Sequence, residues 1–392
     1  MNVDVLRKVP TIQEFFKIEP EGDIPAETAM LLNAMEEVVF EKGQDVVTFG
    51  ADSADGMYVI LEGTTDVLNS KQQRINILGP GDFIGELGLI NDNKRGAIVR
   101  ALDRVVCANI SKSLFEELAM HNRKVYGIFM NMLYVKTTNL VTVQERMKSE
   151  LAIATRIQSG CLEDDFTEFN KLKDISITAT MRPAKEVGGD FYDVFMIDDT
   201  HICFLVADVS GKGVPAALFM SMAKIHIKNY AALGLPLAEV VSRANNQLCY
   251  KNEEGMFVTS FICVLDVETD EVKFVNAGHN LPYIYRPESG FEVVSAKANL
   301  VLGMMEDIPY REQRFTLKKG ESLYLFTDGV TEATNSVQEL FGEQRLLTAL
   351  NNHVDNVGCV NEFVTEMFKE VDDFAAGEMQ ADDITMLYIS RV

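Results

Sequence analysis

The sequence predicts a multidomain chain: an N-terminal antiparallel β-roll or barrel with flanking helices, a helical linker, and a C-terminal α/β domain. Three observations carry this. From Val38 to Ile110, short β-prone runs alternate with glycine-bearing breaks. From Leu140 to Cys161, apolar residues recur at helical spacing. From Ser176 onward, strand-like and helix-like runs alternate. A length of 392 residues leaves room for two or three domains at roughly 100–200 residues each.

In the N-terminal region the β-prone runs include Val46–Phe49, Met57–Leu61, Ile75–Leu78 and Ala97–Ala101. The breaks fall at Gly43, Gly50, Glu62-Gly63 and Gly79-Pro80-Gly81-Asp82, the residue types that turns require. Helices are expected over Glu27–Glu37 before this region and from Ser113 after it. Next, Leu140, Val143, Met147, Leu151, Ala154, Ile157 and Cys161 follow steps of three and four, close to a heptad seam, and no Pro or Gly interrupts from Ile128 to Ser159. A connecting helix that pairs with a second copy of itself, giving a homodimer, is the reading taken. Gly160 and the acidic Glu163-Asp164-Asp165 end it.

C-terminal strands are expected at Ile175–Thr180, His201–Ala207, Val258–Val267, Val272–Val275, Ser322–Phe326 and Ile384–Ile389. Helices are expected at Pro215–Ala232, Leu237–Cys249, Glu343–Leu350 and Val360–Ala375. Short turns such as Glu268-Thr269-Asp270 favour antiparallel pairing.

Composition narrows the function classes. Hydrophobic residues make up 47% and charged residues 24%, the balance of a folded rather than a disordered chain. No apolar stretch approaches the ~18 residues of a membrane span, and Met1 to Pro10 lacks a signal-peptide core. Six scattered cysteines, without a C-x-x-C pair or a histidine at zinc spacing, fit a reduced cytoplasmic setting. The net charge of −23 argues against nucleic acid as a partner. By segment it runs −7 over residues 1–135, −1 over 136–165 and −15 over 166–392. The acid excess thus lies mostly in the last domain.

Two constellations carry chemistry. The first is Gly81-Asp82-Phe83-Ile84-Gly85-Glu86-Leu87-Gly88-Leu89-Ile90, followed by Arg95-Gly96-Ala97. Gly85 and Gly88 let backbone approach a ligand, and one helical turn over Glu86–Ile90 would expose free N–H groups to an anion. Arg95 offers a fork for two phosphate oxygens, while Glu86, acceptor-only when ionised, suits a ribose hydroxyl. One phosphodiester beside one ribose hydroxyl describes a cyclic nucleotide. Residues 15–135 resemble the cyclic-nucleotide-binding domain, whose cassette reads F-G-E-L-A-L-x…R-A-A. Gly85, Glu86, Leu87, Leu89, Arg95 and Ala97 match. Ile84 is inserted after Phe83, Gly96 replaces the usual Ala, and Ile98 stands where a hydroxyl side chain is frequent. The resemblance implies that Glu86 contacts ribose and Arg95 the cyclic phosphate, with Gly85, Leu87, Gly88, Gly96 and Ala97 completing the pocket. Without a Thr near Gly96-Ala97, the site leans towards cAMP over cGMP.

The second constellation is a set of aspartates beside glycines and strand ends: Asp190 after Val187-Gly188-Gly189, Asp208 after Phe204–Ala207, Asp328 after Tyr324–Thr327, and Asp382-Asp383 before the last strand. Carboxylates at the ends of buried strands are costly unless hydrated or compensated by a cation. Several drawn from distant positions suit a pair of hard divalent ions better than an acid–base pair. Lys212 in Ser210-Gly211-Lys212-Gly213 mimics part of a nucleotide P-loop, but the full motif is absent.

The segments 182–190, 208–218, Asn276–Asn280, Thr327–Ala333 and Asp382–Thr385 resemble, in family order, the SpoIIE/RsbU branch of the metal-dependent PPM protein phosphatases. Glu150–Gln158 resembles the signalling helix that enters this domain, with Cys161-Leu162-Glu163 where Leu-Leu-Pro is usual. The resemblance implies a four-layer α–β–β–α sandwich with two Mn²⁺ or Mg²⁺ ions at one edge. It implies that Asp208 bridges both ions with help from the Val209 carbonyl, that Asp328 and Asp382 complete the set, and that Asp190 holds water beside them. Metal-activated water would then displace a serine or threonine alkoxide. Ser210 stands where many PPM phosphatases carry His, as is usual in this branch. His279 is a candidate acid or a loop brace, and Arg182 or Lys185 a candidate phosphate holder.

The expected organisation is therefore a cyclic-nucleotide-binding domain over 1–135, a helical signalling linker over 136–165, and a phosphatase domain over 166–392. The expected substrate is a phosphoserine or phosphothreonine protein, by branch resemblance a STAS-type anti-sigma-factor antagonist. The competing class is a cyclic-nucleotide-sensing adaptor with a dead phosphatase fold. Retention of Asp190, Asp208, Asp328 and Asp382 together argues against it.

Overall fold

The computed structural model describes residues 13, 23–24, 26–53, 55–89, 94–121, 123–169, 172 and 174–392. Residues 1–12 and Ile90, used in the sequence argument, lie outside this set. The chain divides into two units, Met1–Arg146 and Met147–Val392.

In the first unit, helix α1 (Ala26–Ala34) precedes strands β1 (Glu36–Phe40), β2 (Asp45–Val47), β3 (Met57–Glu62), β4 (Thr65–Leu68), β5 (Arg74–Leu78), β6 (Phe83–Ile84), β7 (Ile98–Ala101) and β8 (Val105–Ile110). They form two four-stranded antiparallel sheets, β1-β8-β3-β6 and β2-β7-β4-β5. Side chains alternate across a strand, and β3 uses both faces. Val59 and Leu61 join a core with Leu32, Phe83 and Ile110, whereas Tyr58 and Ile60 join another with Val46, Val99 and Cys107. This two-sided burial explains why Met57–Leu61 reads as an unbroken apolar run.

One expectation fails here. The helix expected over Glu27–Glu37 ends at Ala34, and Glu36 and Glu37 lie in β1, paired with Asn109 and Ala108 of β8. The β-branched Val38-Val39 and an available partner edge outweigh the helix preference of two glutamates. Helices α2 (Lys112–His121) and α3 (Arg123–Ser159) follow.

The second unit holds β9 (Ile175–Arg182), β10 (Phe191–Met196), β11 (His201–Val209), α4 (Val214–Ala231), α5 (Leu237–Cys249), β12 (Val258–Asp266), β13 (Glu271–Ala277), β14 (Tyr283–Arg286), β15 (Gly290–Val293), β16 (Gln313–Thr316), β17 (Ser322–Phe326), α6 (Asp328–Thr331), α7 (Gly342–Asn352), α8 (Val360–Ala375) and β18 (Ile384–Arg391). Two five-stranded antiparallel sheets run β10-β11-β12-β13-β16 and β15-β14-β17-β18-β9. Phe204, Phe261 and Phe274 of one sheet pack against Ile177, Leu323, Leu387 and Ile389 of the other. The outer face of the first sheet is covered by α4 and α5 through Met220, Ile227, Val240 and Leu248. The outer face of the second is covered by α7 and α8 through Leu346, Phe363 and Met367. The layers are α–β–β–α, as the resemblance implied. Among the described residues, no helix is long and apolar enough to cross a membrane.

Candidate functional site

In the first unit, all seven expected ligand residues line one cavity of about 440 Å³: Gly85, Glu86, Leu87, Gly88, Arg95, Gly96 and Ala97. A 3₁₀ turn spans Glu86–Leu89. Arg95 is buried. Its Nη1 donates to the Gly85 carbonyl at 3.0 Å, its Nη2 to Asp55 Oδ1 at 2.5 Å, and Nη2 also to the Gly56 carbonyl. Its Nε is buried without a partner, an orphan donor of the kind a phosphate oxygen satisfies. Gly85 is required for this geometry. It takes φ 77°, and a Cβ there would fall 1.8 Å from Arg95 Nη1. A Cβ at Gly88 would fall 2.6 Å from the Ser53 side chain. Ser53 and Asp55 were not singled out from sequence, since neither differs there from an ordinary loop residue.

In the second unit the aspartates sit at strand ends. Asp208 is the eighth residue of β11, Asp328 begins α6 just after β17, Asp190 immediately precedes β10, and Asp382-Asp383 precede β18. Asp190 is only 2% exposed. Its Oδ2 accepts hydrogen bonds from Thr327 Oγ1 at 2.6 Å and Thr385 Oγ1 at 2.8 Å. Thr327 Oγ1 in turn accepts the Thr385 N–H at 2.9 Å. Burial and then the neighbouring Asp208 push the Asp190 carboxyl well above the ordinary range. Burial, then Asp328 and Asp382, push the Asp208 pKa up to about 7. Asp328 is raised as well, by burial and then by Glu332 and Asp382. Like charges held this close in a partly dry site destabilise one another's ionised forms.

Asp383 does a different job from its neighbour. Its Oδ1 accepts the Ala184 N–H at 2.8 Å, and its Oδ2 accepts the N–H groups of Gly189 at 2.7 Å and Asp190 at 3.4 Å. It moulds the loop before Asp190. Gly188 and Gly189 permit this, because a Cβ on Gly188 would fall 2.3 Å from Asp383 Oδ2 and one on Gly189 2.9 Å from the Val209 carbonyl. Asp382 faces the site instead. Its Oδ2 lies 2.7 Å from Lys212 Nζ, and its Oδ1 accepts the Asp383 N–H at 2.9 Å.

The donor set tests well for hard divalent ions: oxygen-only, carboxylate-rich, and repelling itself without a cation. Among the described residues, no three such side chains already surround one point. Asp382 is paired with Lys212, so an ion bound there would compete for that contact.

Two sequence candidates are redirected. Arg182 makes a two-pronged ion pair with Asp372, at 2.7 and 2.9 Å, and donates to Gln380 at 2.8 Å. It fastens β9 to α8 and has no free fork for phosphate. His279 is 6% exposed. Its Nε2 donates to the Phe326 carbonyl at 3.1 Å, and its Nδ1 accepts from Thr259 Oγ1 at 2.8 Å. Burial lowers its pKa to about 4, so it is neutral at pH 7. It braces the strand end that carries Asp328. Lys185 is exposed. Thr327, Thr385 and Gln158 make contacts at this site that the sequence reading missed, although Thr327 directly precedes Asp328 and Thr385 follows Asp383 by two positions.

A β-roll with an arginine-bearing glycine cassette and an α–β–β–α sandwich with strand-end aspartates define a cyclic-nucleotide-binding module joined to a PPM-type phosphatase module. Residues 198–392 match the Stage II sporulation protein E (SpoIIE) family, and residues 37–122 match the cyclic nucleotide-binding domain. The chain is 33% identical over 202 residues to phosphoserine phosphatase RsbU of Bacillus subtilis, covering 51% of this chain and 59% of RsbU. It is 28% identical over 299 residues to protein IcfG of Synechocystis, covering 68% of this chain and 46% of IcfG. The match thus spans only about half the length of these curated relatives. The fold resembles the SiaA-PP2C domain of Pseudomonas aeruginosa, with a TM-score of 0.55 and 22% identity over 63% of this chain and 98% of that one.

Proposed function

We propose that this chain is a metal-dependent serine/threonine protein phosphatase regulated by a cyclic nucleotide, with cAMP favoured. The observation that carries this reading is the group of mutually repelling carboxylates, Asp190, Asp208, Asp328 and Asp382, gathered from four separate motifs. Asp208, Asp328 and Asp382, with the Val209 carbonyl, would hold two Mn²⁺ or Mg²⁺ ions. When bound, such ions acidify water and neutralise phosphoryl charge. Asp190, its Oδ2 fixed by Thr327 and Thr385, orients water within the centre. His279 keeps the Asp328 strand end in place and carries no spare proton at neutral pH, so water or another group protonates the leaving oxygen. The protein substrate would be a phosphoserine or phosphothreonine protein, by the branch resemblance a STAS-type anti-sigma-factor antagonist. The cell compartment would be the cytoplasm.

Regulation would run from residues 1–135 through the connector 136–165 to the phosphatase domain 166–392. What supports this is the last turns of α3. Gln158 Nε2 donates to the Gly188 carbonyl at 2.6 Å, and Gln158 Oε1 accepts the Gly188 N–H at 3.1 Å. Thr155 Oγ1 donates to the Glu186 carbonyl at 2.6 Å. A shift of α3 would thus act on the loop that carries Asp190. Val143, Met147 and Ile157 of the heptad seam are exposed, which supports pairing of α3 with a second copy. A ligand regulates such a device only through a difference in affinity between its two states.

The test is the initial rate of phosphate release from a phosphoserine protein with Mn²⁺, with and without cAMP, alongside Asp328→Asn. Turnover that needs Mn²⁺, disappears in the variant and changes with cAMP supports both parts. Turnover indifferent to bound cAMP removes the regulation. No turnover from folded protein across several phosphoprotein substrates favours the adaptor.

A further inference from the structure

We propose that Lys212 is a built-in counter-ion of the carboxylate cluster, competing with divalent ions for Asp382 and so setting how tightly they are held. This rests on the metal-dependent reading above and goes beyond it.

Lys212 follows the end of β11 in a turn whose two glycines, Gly211 and Gly213, take φ of 85° and 79° with open space around them. That left-handed backbone is costly for residues with a Cβ, and it turns the lysine back across the site. Nζ then lies 2.7 Å from Asp382 Oδ2 and donates to the Ala381 carbonyl at 2.8 Å. The other Asp382 oxygen already accepts the Asp383 N–H. Both carboxylate oxygens are engaged, so an ion that takes Asp382 as ligand through Oδ2 competes with the ammonium for that oxygen and is repelled by its charge.

Among the described residues, Lys212 is the cation that an ion pair ties to this cluster, Arg182 being committed to Asp372. Burial works against its charge, but Asp382, Asp383 and Asp328 outweigh it. The side chain is 42% exposed, so the released ammonium can move into water. A compact charge on a flexible four-carbon stem is suited to that exchange, as a rigid guanidinium fork is not. Lys212 would hold the aspartates together while ions are absent and weaken ion binding when they arrive, first by competition and then by repulsion.

The experiment is a calorimetric Mn²⁺ titration of metal-stripped full-length protein, with Lys212→Gln, Lys212→Arg, Asp382→Asn and the double variant Lys212→Gln/Asp382→Asn. Lys212→Gln should bind Mn²⁺ about five-fold more tightly or better, a gain that shrinks as salt rises. Its metal-free form should melt below the parent, whereas Lys212→Arg should melt near the parent and bind Mn²⁺ no more tightly than it, because the fork leaves Asp382 less readily. In the Asp382→Asn background the gain should largely disappear, since a double-variant cycle isolates the pairwise contact. Unchanged or weaker Mn²⁺ binding by Lys212→Gln overturns the proposal. So does an equal gain with and without Asp382, which would make Lys212 a general field charge. Binding is read without turnover, so a parent protein that binds Mn²⁺ but hydrolyses no phosphoprotein sinks the phosphatase reading and leaves this one to the cycle. A parent that binds no Mn²⁺ sinks both.

Discussion

At Arg95 a buried cation meets a carboxylate, Asp55, at 2.5 Å; at Asp382 a carboxylate meets a cation, Lys212, at 2.7 Å. The charges are reversed, and so is the way each site is made. The Arg95 cassette is built from one stretch of chain between Val47 and Val99, and glycines fit it closely around one guanidinium. The aspartate cluster gathers side chains from residues 190 to 383, and hydroxyls, amides and an imidazole hold them in place. A local site depends on its loop. A gathered site depends on the whole sandwich, so remote residues should matter more to it.

The sharpest break of this contrast is Asp208→Asn. Loss of the central carboxylate should lower Mn²⁺-dependent phosphate release by about 10³-fold or more, since fixed charges at a reaction centre are worth this much. A loss below ten-fold would mean that the cluster is not the reactive site.

Next comes His279, buried and hydrogen-bonded to the Phe326 carbonyl. Its folded pKa of about 4 lies below the ordinary 6.5, so between those values the unfolded chain binds the extra proton. Stability present above pH 6.5 is therefore lost as pH falls towards 4, by up to about 3 kcal/mol. Denaturant titrations over this range should show a shallower pH slope for His279→Asn. Equal slopes would remove the buried neutral imidazole.

Thr327→Val keeps shape but takes a hydroxyl from Asp190. Outer contacts of this kind are worth about 10–100-fold in activity or metal affinity. A Mn²⁺ titration beside the rate assay should show a loss within that range. Full activity would make the threonine a packing residue only.

The smallest expected effect belongs to the local site. Arg95→Gln exchanges a charge-assisted contact for a neutral one, a loss of about 1.5 kcal/mol or roughly ten-fold in cAMP affinity. Equilibrium binding to the folded variant measures it, and unchanged affinity would show that the phosphate lies elsewhere.

Much of this was legible in sequence because the relevant signals are local. The bounds of α5, α8 and β17 match their periodicity to the residue. Glycines flag the cassette and the aspartate motifs because the Arg95 and Asp383 side chains press against the backbone at Gly85 and Gly188. What stayed hidden is relational. Asp382 and Asp383 are adjacent and chemically identical, yet one faces Lys212 and the other receives three backbone N–H groups. Arg182 reads as a free cation until Asp372 is brought to it across 190 positions. Gln158 has no mark among the polar residues of α3, and only the fold closes its amide onto Gly188. Strand β14 was missed because Pro282 and the turn residues after Arg286 leave only a short run between them.

Strand β18 lies between β17 and β9 in its sheet, and its β9 partners precede it by about two hundred positions. Joining such distant segments requires closing a long loop before the pairing is rewarded, which slows folding. Asp382 and Asp383 lead into that strand, so the aspartate cluster exists only after this late closure. Divalent ions should then leave the refolding rate nearly untouched and slow unfolding instead, the behaviour of contacts made after the transition state. The ions would thus set the lifetime of the folded domain rather than the speed of its birth.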